Sequence, residues 1–193
     1  MTTLAKEIIV LGGPNGAGKT TTAKALLPGK IGFGEFVNAD EIARALAPDD
    51  VESAAISAGR MMIERMNNLL AQDRSFAFET TCSGRGHIAF LKRAKQQGWR
   101  TFLLFVWLSS PELAIKRVAL RVGRGGHNIP EEFIVRRYWK GLANFREGYL
   151  SVADAAAVYD NSAGEGKLVA EKTPEGMIVH DPQVWTKIQT AVP

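Results

Sequence analysis

The octet Gly13-Pro14-Asn15-Gly16-Ala17-Gly18-Lys19-Thr20 constrains this chain most, because it meets the pattern G-x-x-x-x-G-K-[ST] in full. It follows directly on a continuous apolar run, Glu7 to Leu11 (EIIVL). It opens a segment, Lys19 to Leu27, that reads as a helix stopped by Pro28-Gly29. A buried strand, a glycine-rich turn and a helix in that order predict a parallel sheet covered by helices. Glycines at 13, 16 and 18 admit backbone angles closed to other residues and let amide N–H groups converge on phosphate oxygens. The positive end of the helix adds to that attraction. Lys19 is expected to reach the β and γ phosphates of a nucleotide and the Thr20 hydroxyl to ligate Mg²⁺, with Thr21 completing the binding segment. The octet predicts ATP or GTP binding and says nothing about its use.

The rest of the chain continues the alternation. Glu35 to Asn38 reads as a short second strand, Ser53 to Gln72 as the longest helix, and Phe76 to Glu79 as a third strand. In the long helix Ala55, Ala58, Met62, Met66 and Leu69 recur at spacings of three and four, which is core packing. His87 to Gln97 reads as a helix, and Thr101 to Leu108 (TFLLFVWL) as the clearest buried strand. Ser110-Pro111-Glu112 supplies an N-cap, a proline at the first helical position and an acid in the first turn. Another helix starts near Pro130, and Ala155 to Tyr159 is a last core strand. Leu168 to Glu171 and Met177 to His180, around Pro174 and Gly176, predict a β-hairpin. The expected fold is α/β: a P-loop NTPase three-layer sandwich with a parallel sheet, a basic helical lid and a C-terminal β-hairpin.

With 193 residues, residues 1–193 fit a single domain, its lid at about 117–137. The lone cysteine, Cys82, excludes an internal disulfide, and neither a secretory signal nor a membrane-spanning run is visible, so a cytoplasmic location and no membrane partner are expected. A formal charge of +4 raises nucleic acid as a partner. The basic residues are spread along the chain, and the densest group, Lys116 to Arg137, is better suited to clamping nucleotide phosphates. Nucleic acid is not expected.

A switch GTPase would need D-x-x-G and N-K-x-D, and a transporter-type ATPase an L-S-G-G-Q-like signature; none is present. Two acidic strand ends point to a kinase of small molecules instead. Asp40 follows the second strand on the rim where ligands of open parallel sheets bind. There a carboxylate can take the proton of a substrate hydroxyl attacking the γ-phosphate, and Asp40 also suits the N-cap of a helix Glu41 to Leu46. Glu79 ends the third strand on the same rim and could hold a magnesium-bound water or a substrate hydroxyl. Thr80 and Thr81 offer hydroxyl contacts or form the turn, and Arg85 stands between substrate contact and solvated surface. Arg117, Arg121 and Arg124, four and three apart, stack on one helix face, with Arg136 and Arg137 on the next helix. Arginines closing over a γ-phosphate stabilise the charge of the transition state, and the glycines from Gly123 to Gly126 supply a lid's mobility. His127 is a further lid candidate.

The stretches GGPNGAGKTT, FVNAD, FAFETTCSGR and RVALRVGRGGHNIPEEFIVRRY resemble the short, single-domain branch of the zeta-toxin family of bacterial P-loop kinases, over roughly Ile8 to Ser162. The resemblance implies ATP and Mg²⁺, and, from the better-known members, a phosphate acceptor such as UDP-N-acetylglucosamine; it also implies a possible antitoxin protein as partner. It makes Lys19 and Thr20 the Walker pair, Asp40 the catalytic base, Glu79 a substrate contact and Arg121 a lid arginine. Asn161 falls where related kinases pack the adenine. Two positions depart from the family: Ser83 stands where an arginine commonly follows the strand-three glutamate, and His127 where a second lid arginine would align. Alternatives kept open are a regulatory or assembly ATPase without a phosphorylated acceptor, and a kinase for a nucleoside, an antibiotic or a nucleic-acid end.

Overall fold

A computed structural model describes residues 6–26, 35–51, 53–123, 125–126 and 128–193. Strand β1 (Glu7–Gly12) lies between β3 (Phe76–Thr80) and β4 (Arg100–Trp107), parallel to both, with Val10 opposite Phe78 on one side and Leu103 on the other. Ile8, Val10 and Leu11 are almost completely buried, which is why this strand is a continuous apolar run rather than an alternating one. β2 (Glu35–Val37) pairs with β3, and β5 (Ala155–Asp160) with β4, both parallel. The expected hairpin is present as β6 (Lys167–Thr173) and β7 (Gly176–Val179), and it extends the same sheet antiparallel beyond β5. Among the described residues the seven strands run β2-β3-β1-β4-β5-β6-β7. The order reverses at β1, so the crevice at a switch point of the sheet opens at the carboxyl end of that strand.

Helix α1 (Lys19–Leu26) leaves β1, and α2 (Ala39–Leu46) follows β2. α3 (Ala55–Ala71) buries Ala58, Met62, Met66 and Leu69, the stripe expected from the sequence. Ala43, Val51, Ala54 and Ala58 form a small core of their own, apart from the main one, so α2 and α3 make a unit beside the sheet. α4 (Gly86–Gln96) follows β3. α5 (Pro111–Val122) begins as predicted, the Ser110 hydroxyl accepting from Leu113 N at 3.2 Å. α6 (Glu131–Asn144) runs into a π-helical turn, Phe145–Tyr149, and then the single turn α7 (Leu150–Val152); the chain closes with α8 (Pro182–Thr190). Among the described residues no helix is long and apolar enough to cross a membrane.

Sequence reasoning missed the π-helical turn, which fits α6 against the loop after β3. A Cβ on Gly141 would stand 2.3 Å from the Thr81 carbonyl oxygen, so only glycine allows this approach. Asn144 Nδ2 donates to the Cys82 carbonyl at 2.8 Å and the Tyr149 hydroxyl to the Gly84 carbonyl at 3.1 Å. These bonds hold the loop although Cys82 carries a φ of 60°, a region unfavourable to side chains.

Candidate active site

At the crevice the chain encloses a cleft of about 730 Å³. Asn15, Gly16, Gly18, Lys19 and Thr20 of the glycine-rich octet line it. Gly13 has a φ of 140°, and a Cβ there would lie 2.2 Å from the Val106 carbonyl oxygen, so the loop lies hard against β4. Lys19, only 6% exposed, directs Nζ to the carbonyls of Gly13 (3.0 Å) and Pro14 (3.1 Å) and to Glu79 Oε1 at 3.3 Å. The Thr20 hydroxyl donates to the other Glu79 oxygen at 2.6 Å. One carboxylate from the end of β3 thus touches both the lysine and the threonine of the loop. A hydroxyl and a carboxylate side by side are the hard oxygen donors that Mg²⁺ prefers. Among the described residues no group of three or more His, Cys, Asp or Glu could hold a metal.

Asp40 stands exposed on the cleft rim in the first turn of α2. It does not cap the helix. That position belongs to Asn38, whose Oδ1 accepts from Asp40 N at 2.9 Å, so α2 starts two residues before the expected Glu41 and Asp40 points its carboxylate free of the capping bond. Thr80, Thr81 and Thr21 line the cleft with Glu79, as do Arg117, Arg121 and Arg137 from α5 and α6. Four cationic side chains (Lys19, Arg117, Arg121, Arg137) face two carboxylates (Asp40, Glu79), so the cleft attracts anions. Asn15 Oδ1, from the loop itself, is buried without a partner among the described residues. It is the kind of orphan acceptor that a bound molecule or water pairs with.

Three expected site residues stand elsewhere. Arg85 is outside the cleft, donating to Asn144 Oδ1 (3.1 Å) and Glu147 Oε2 (2.8 Å) on the helix that braces the loop. Arg136 lies exposed with its guanidinium 4.7 Å from the Phe133 ring, since helical periodicity turns it away as it turns Arg137 in. Asn161 is 8% exposed, and its Nδ2 donates to the Ala17 carbonyl at 2.8 Å, behind the loop rather than in the cleft. Arg117 Nη2 in turn donates to the carbonyls of Asn161 (2.6 Å) and Ser162 (3.1 Å), tying α5 to the end of β5. Arg124 and His127 lie outside the described residues. Sequence reasoning did not identify Ala43, Val51, Ala55, Gly59, Met62 and His87 as part of the cleft lining. Their one sequence signal is a glycine within a long helix.

A family model described as AAA domain matches residues 8–140. The chain belongs to the AAA domain family. An uncharacterized protein of Haemophilus influenzae is 31% identical over 126 residues, 65% of this chain and 88% of that protein. Among solved structures, AvrRxo1-ORF1:-ORF2 with ATP superposes with a TM-score of 0.75 at 16% identity, covering 98% of this chain and 66% of that one. This chain therefore spans just under two thirds of that chain's length. A structure from the PezAT chromosomal toxin-antitoxin system of Streptococcus pneumoniae gives a TM-score of 0.67 at 18% identity, covering 97% of this chain and 80% of that one. The family member described here shares the fold of these structures, a P-loop NTPase-like parallel-dominated sheet flanked by helices, as its sequence led one to expect.

Proposed function

We propose that this AAA domain protein is an Mg²⁺-dependent kinase that moves the γ-phosphate of ATP to a hydroxyl of a small acceptor, with UDP-N-acetylglucosamine the first candidate. The supporting observation is that one cleft gathers Asn15, Gly16, Gly18, Lys19 and Thr20 of the phosphate loop, the carboxylates of Asp40 from the start of α2 and Glu79 from β3, and arginines from two helices. Lys19 and the loop amides hold the phosphates, while Thr20 and Glu79 would hold Mg²⁺, which when bound neutralises phosphate charge. This moves Glu79 from acceptor contact to the metal side. Asp40 takes the proton from the acceptor hydroxyl; the hydroxyl oxygen bonds to the γ-phosphorus as the bond to the β-phosphate oxygen breaks, and ADP leaves. Arg121 and Arg137 face the charge that spreads over the transferred group, and Arg117 holds the nucleotide side. Residues 1–193 act as one kinase unit, α5 and α6 serving as the lid, and an antitoxin protein is a candidate partner.

The test is Asp40→Asn with γ-labelled ATP. ATP binding should persist while transfer to acceptor falls by at least about 100-fold, the scale of a lost general base. Undiminished transfer would remove Asp40 from the chemistry. Label released only as inorganic phosphate by the wild-type protein would favour an ATPase instead.

A further inference from the structure

The part of the cleft lining that comes from α2, α3 and α4 has a chemistry of its own. Ala43, Val51, Ala55, Gly59, Met62 and His87 face the cleft from α2, the α2–α3 loop, α3 and the start of α4, and none of them carries a fixed charge. Gly59 lies inside a helix of 17 residues, where glycine is less favourable than alanine. No close packing explains it: a Cβ at Gly59 would meet nothing within 4 Å. Elsewhere in this protein interior glycines answer to a neighbour, as Gly141 does to Thr81. At position 59 the missing side chain leaves an open notch in the cleft.

Facing the same space, His87 packs its ring against Phe78, centroids 5.1 Å apart, and its ring nitrogens make no hydrogen bond among the described residues. Burial lowers its pKa below the ordinary value, so the imidazole is neutral near pH 7 and offers one donor and one acceptor. A charged group seated here would lose its hydration without gaining a counter-charge. A ring with hydroxyl or amide groups would fill the notch and pair with the imidazole.

We infer that the Gly59–His87 notch is the acceptor subsite and takes an uncharged, hydroxyl-bearing ring, leaving any anionic part of the acceptor to the arginine side of the cleft. This rests on the kinase reading above. It makes Gly59 and His87 determinants of acceptor choice: the glycine by the room it leaves, the histidine by its hydrogen bonds.

The experiment compares wild type, Gly59→Leu, His87→Ala, His87→Asn and, on the exposed part of the same helix, Met61→Ala. Each is given γ-labelled ATP with a concentration series of UDP-N-acetylglucosamine and, in parallel, a dilution series of a desalted bacterial metabolite extract. Gly59→Leu should raise the apparent KM for the labelled acceptor at least tenfold, with KM for ATP within twofold and Tm no lower. His87→Ala should raise it about fivefold, and His87→Asn, which keeps a neutral donor and acceptor, should recover part of the loss. Met61→Ala should match wild type. Acceptor KM values within twofold of wild type in Gly59→Leu and His87→Ala would overturn the subsite and leave the kinase reading standing. So would equal losses in Gly59→Leu and Met61→Ala. If wild type labels no small molecule from either source, the kinase reading falls and the subsite with it.

Discussion

Asn161 offers the cleanest perturbation of the phosphate loop, because its main chain is held separately from its side chain. Its N–H donates to the Trp107 carbonyl at 3.0 Å and its carbonyl accepts from Arg117 at 2.6 Å, and neither bond depends on what the side chain is. Only Nδ2 reaches the loop, at the Ala17 carbonyl. Asn161→Ala leaves that buried carbonyl without a donor, at a cost of about 1–3 kcal/mol. For a chain of this size each kcal/mol lowers Tm by about 2–4 °C, so a loss of roughly 2–12 °C is expected. Asn161→Asp is the sharper test. It keeps the shape but turns the donor into a charged acceptor facing a carbonyl at hydrogen-bond distance, and should cost about 3 kcal/mol or more. Both variants loosen the phosphate loop, so ATP affinity should fall about tenfold, equivalent to about 1.4 kcal/mol. Thermal melts and calorimetric titration with MgATP would measure the two effects. Wild-type Tm and ATP affinity in Asn161→Asp would refute the bracing role. Normal Tm with weakened ATP binding would place the side chain on the nucleotide instead.

Two further outcomes follow from buried or paired titratable groups. Cys82, the chain's single cysteine, is fully buried, and burial pushes its thiol pKa up to about 12. Native protein at pH 8 should resist a thiol reagent and release one equivalent in guanidinium; stoichiometric labelling within minutes in buffer would contradict the packing. Asp154 meets Lys95 Nζ at 2.6 Å and accepts from Thr101 N at 2.9 Å; burial opposes its ionisation, but these partners outweigh burial and its pKa is lowered. The folded pKa lies below the unfolded one, so the stability Asp154 contributes is present above about pH 4 and lost as pH falls through the folded pKa. Urea melts of Asp154→Asn should show a deficit of about 1 kcal/mol at pH 7 that shrinks below pH 4; a deficit constant with pH would exclude the ionic contribution.

Much of the candidate site could be read in the sequence because its backbone demands are local. Gly13, Gly16 and Gly18 adopt positive φ within a few residues of one another, and Lys19 and Thr20 follow on the same turn, so a continuous string of residues encodes the loop. Asp40 and Glu79 could be placed because strand ends on a parallel sheet share a rim, whatever the helices between them do. The arginines were harder. Arg117 and Arg121 share the cleft-facing side of α5, as a spacing of four requires. Between Arg136 and Arg137 only the orientation of α6 against the β3 loop decides, and that depends on Gly141, Asn144 and the π-helical turn. Arg85 looked available for substrate until Glu147, 62 residues away, took it.

The sequence by itself determined the strand–loop–helix of the glycine-rich octet, the parallel sheet around it and a C-terminal hairpin. Short-range backbone preference and hydrophobic period carry that information. The tertiary structure alone decided which polar side chains face the cleft and which support it. Lys19, Thr20 and Glu79 meet because β3 pairs with β1, and Asn161 serves the loop from behind because β5 ends beside it. Gly59 and His87 share one cleft with the loop only once α3 and α4 are packed in place. Contacts between residues so far apart in the chain are set by how elements pack, and no local pattern records them.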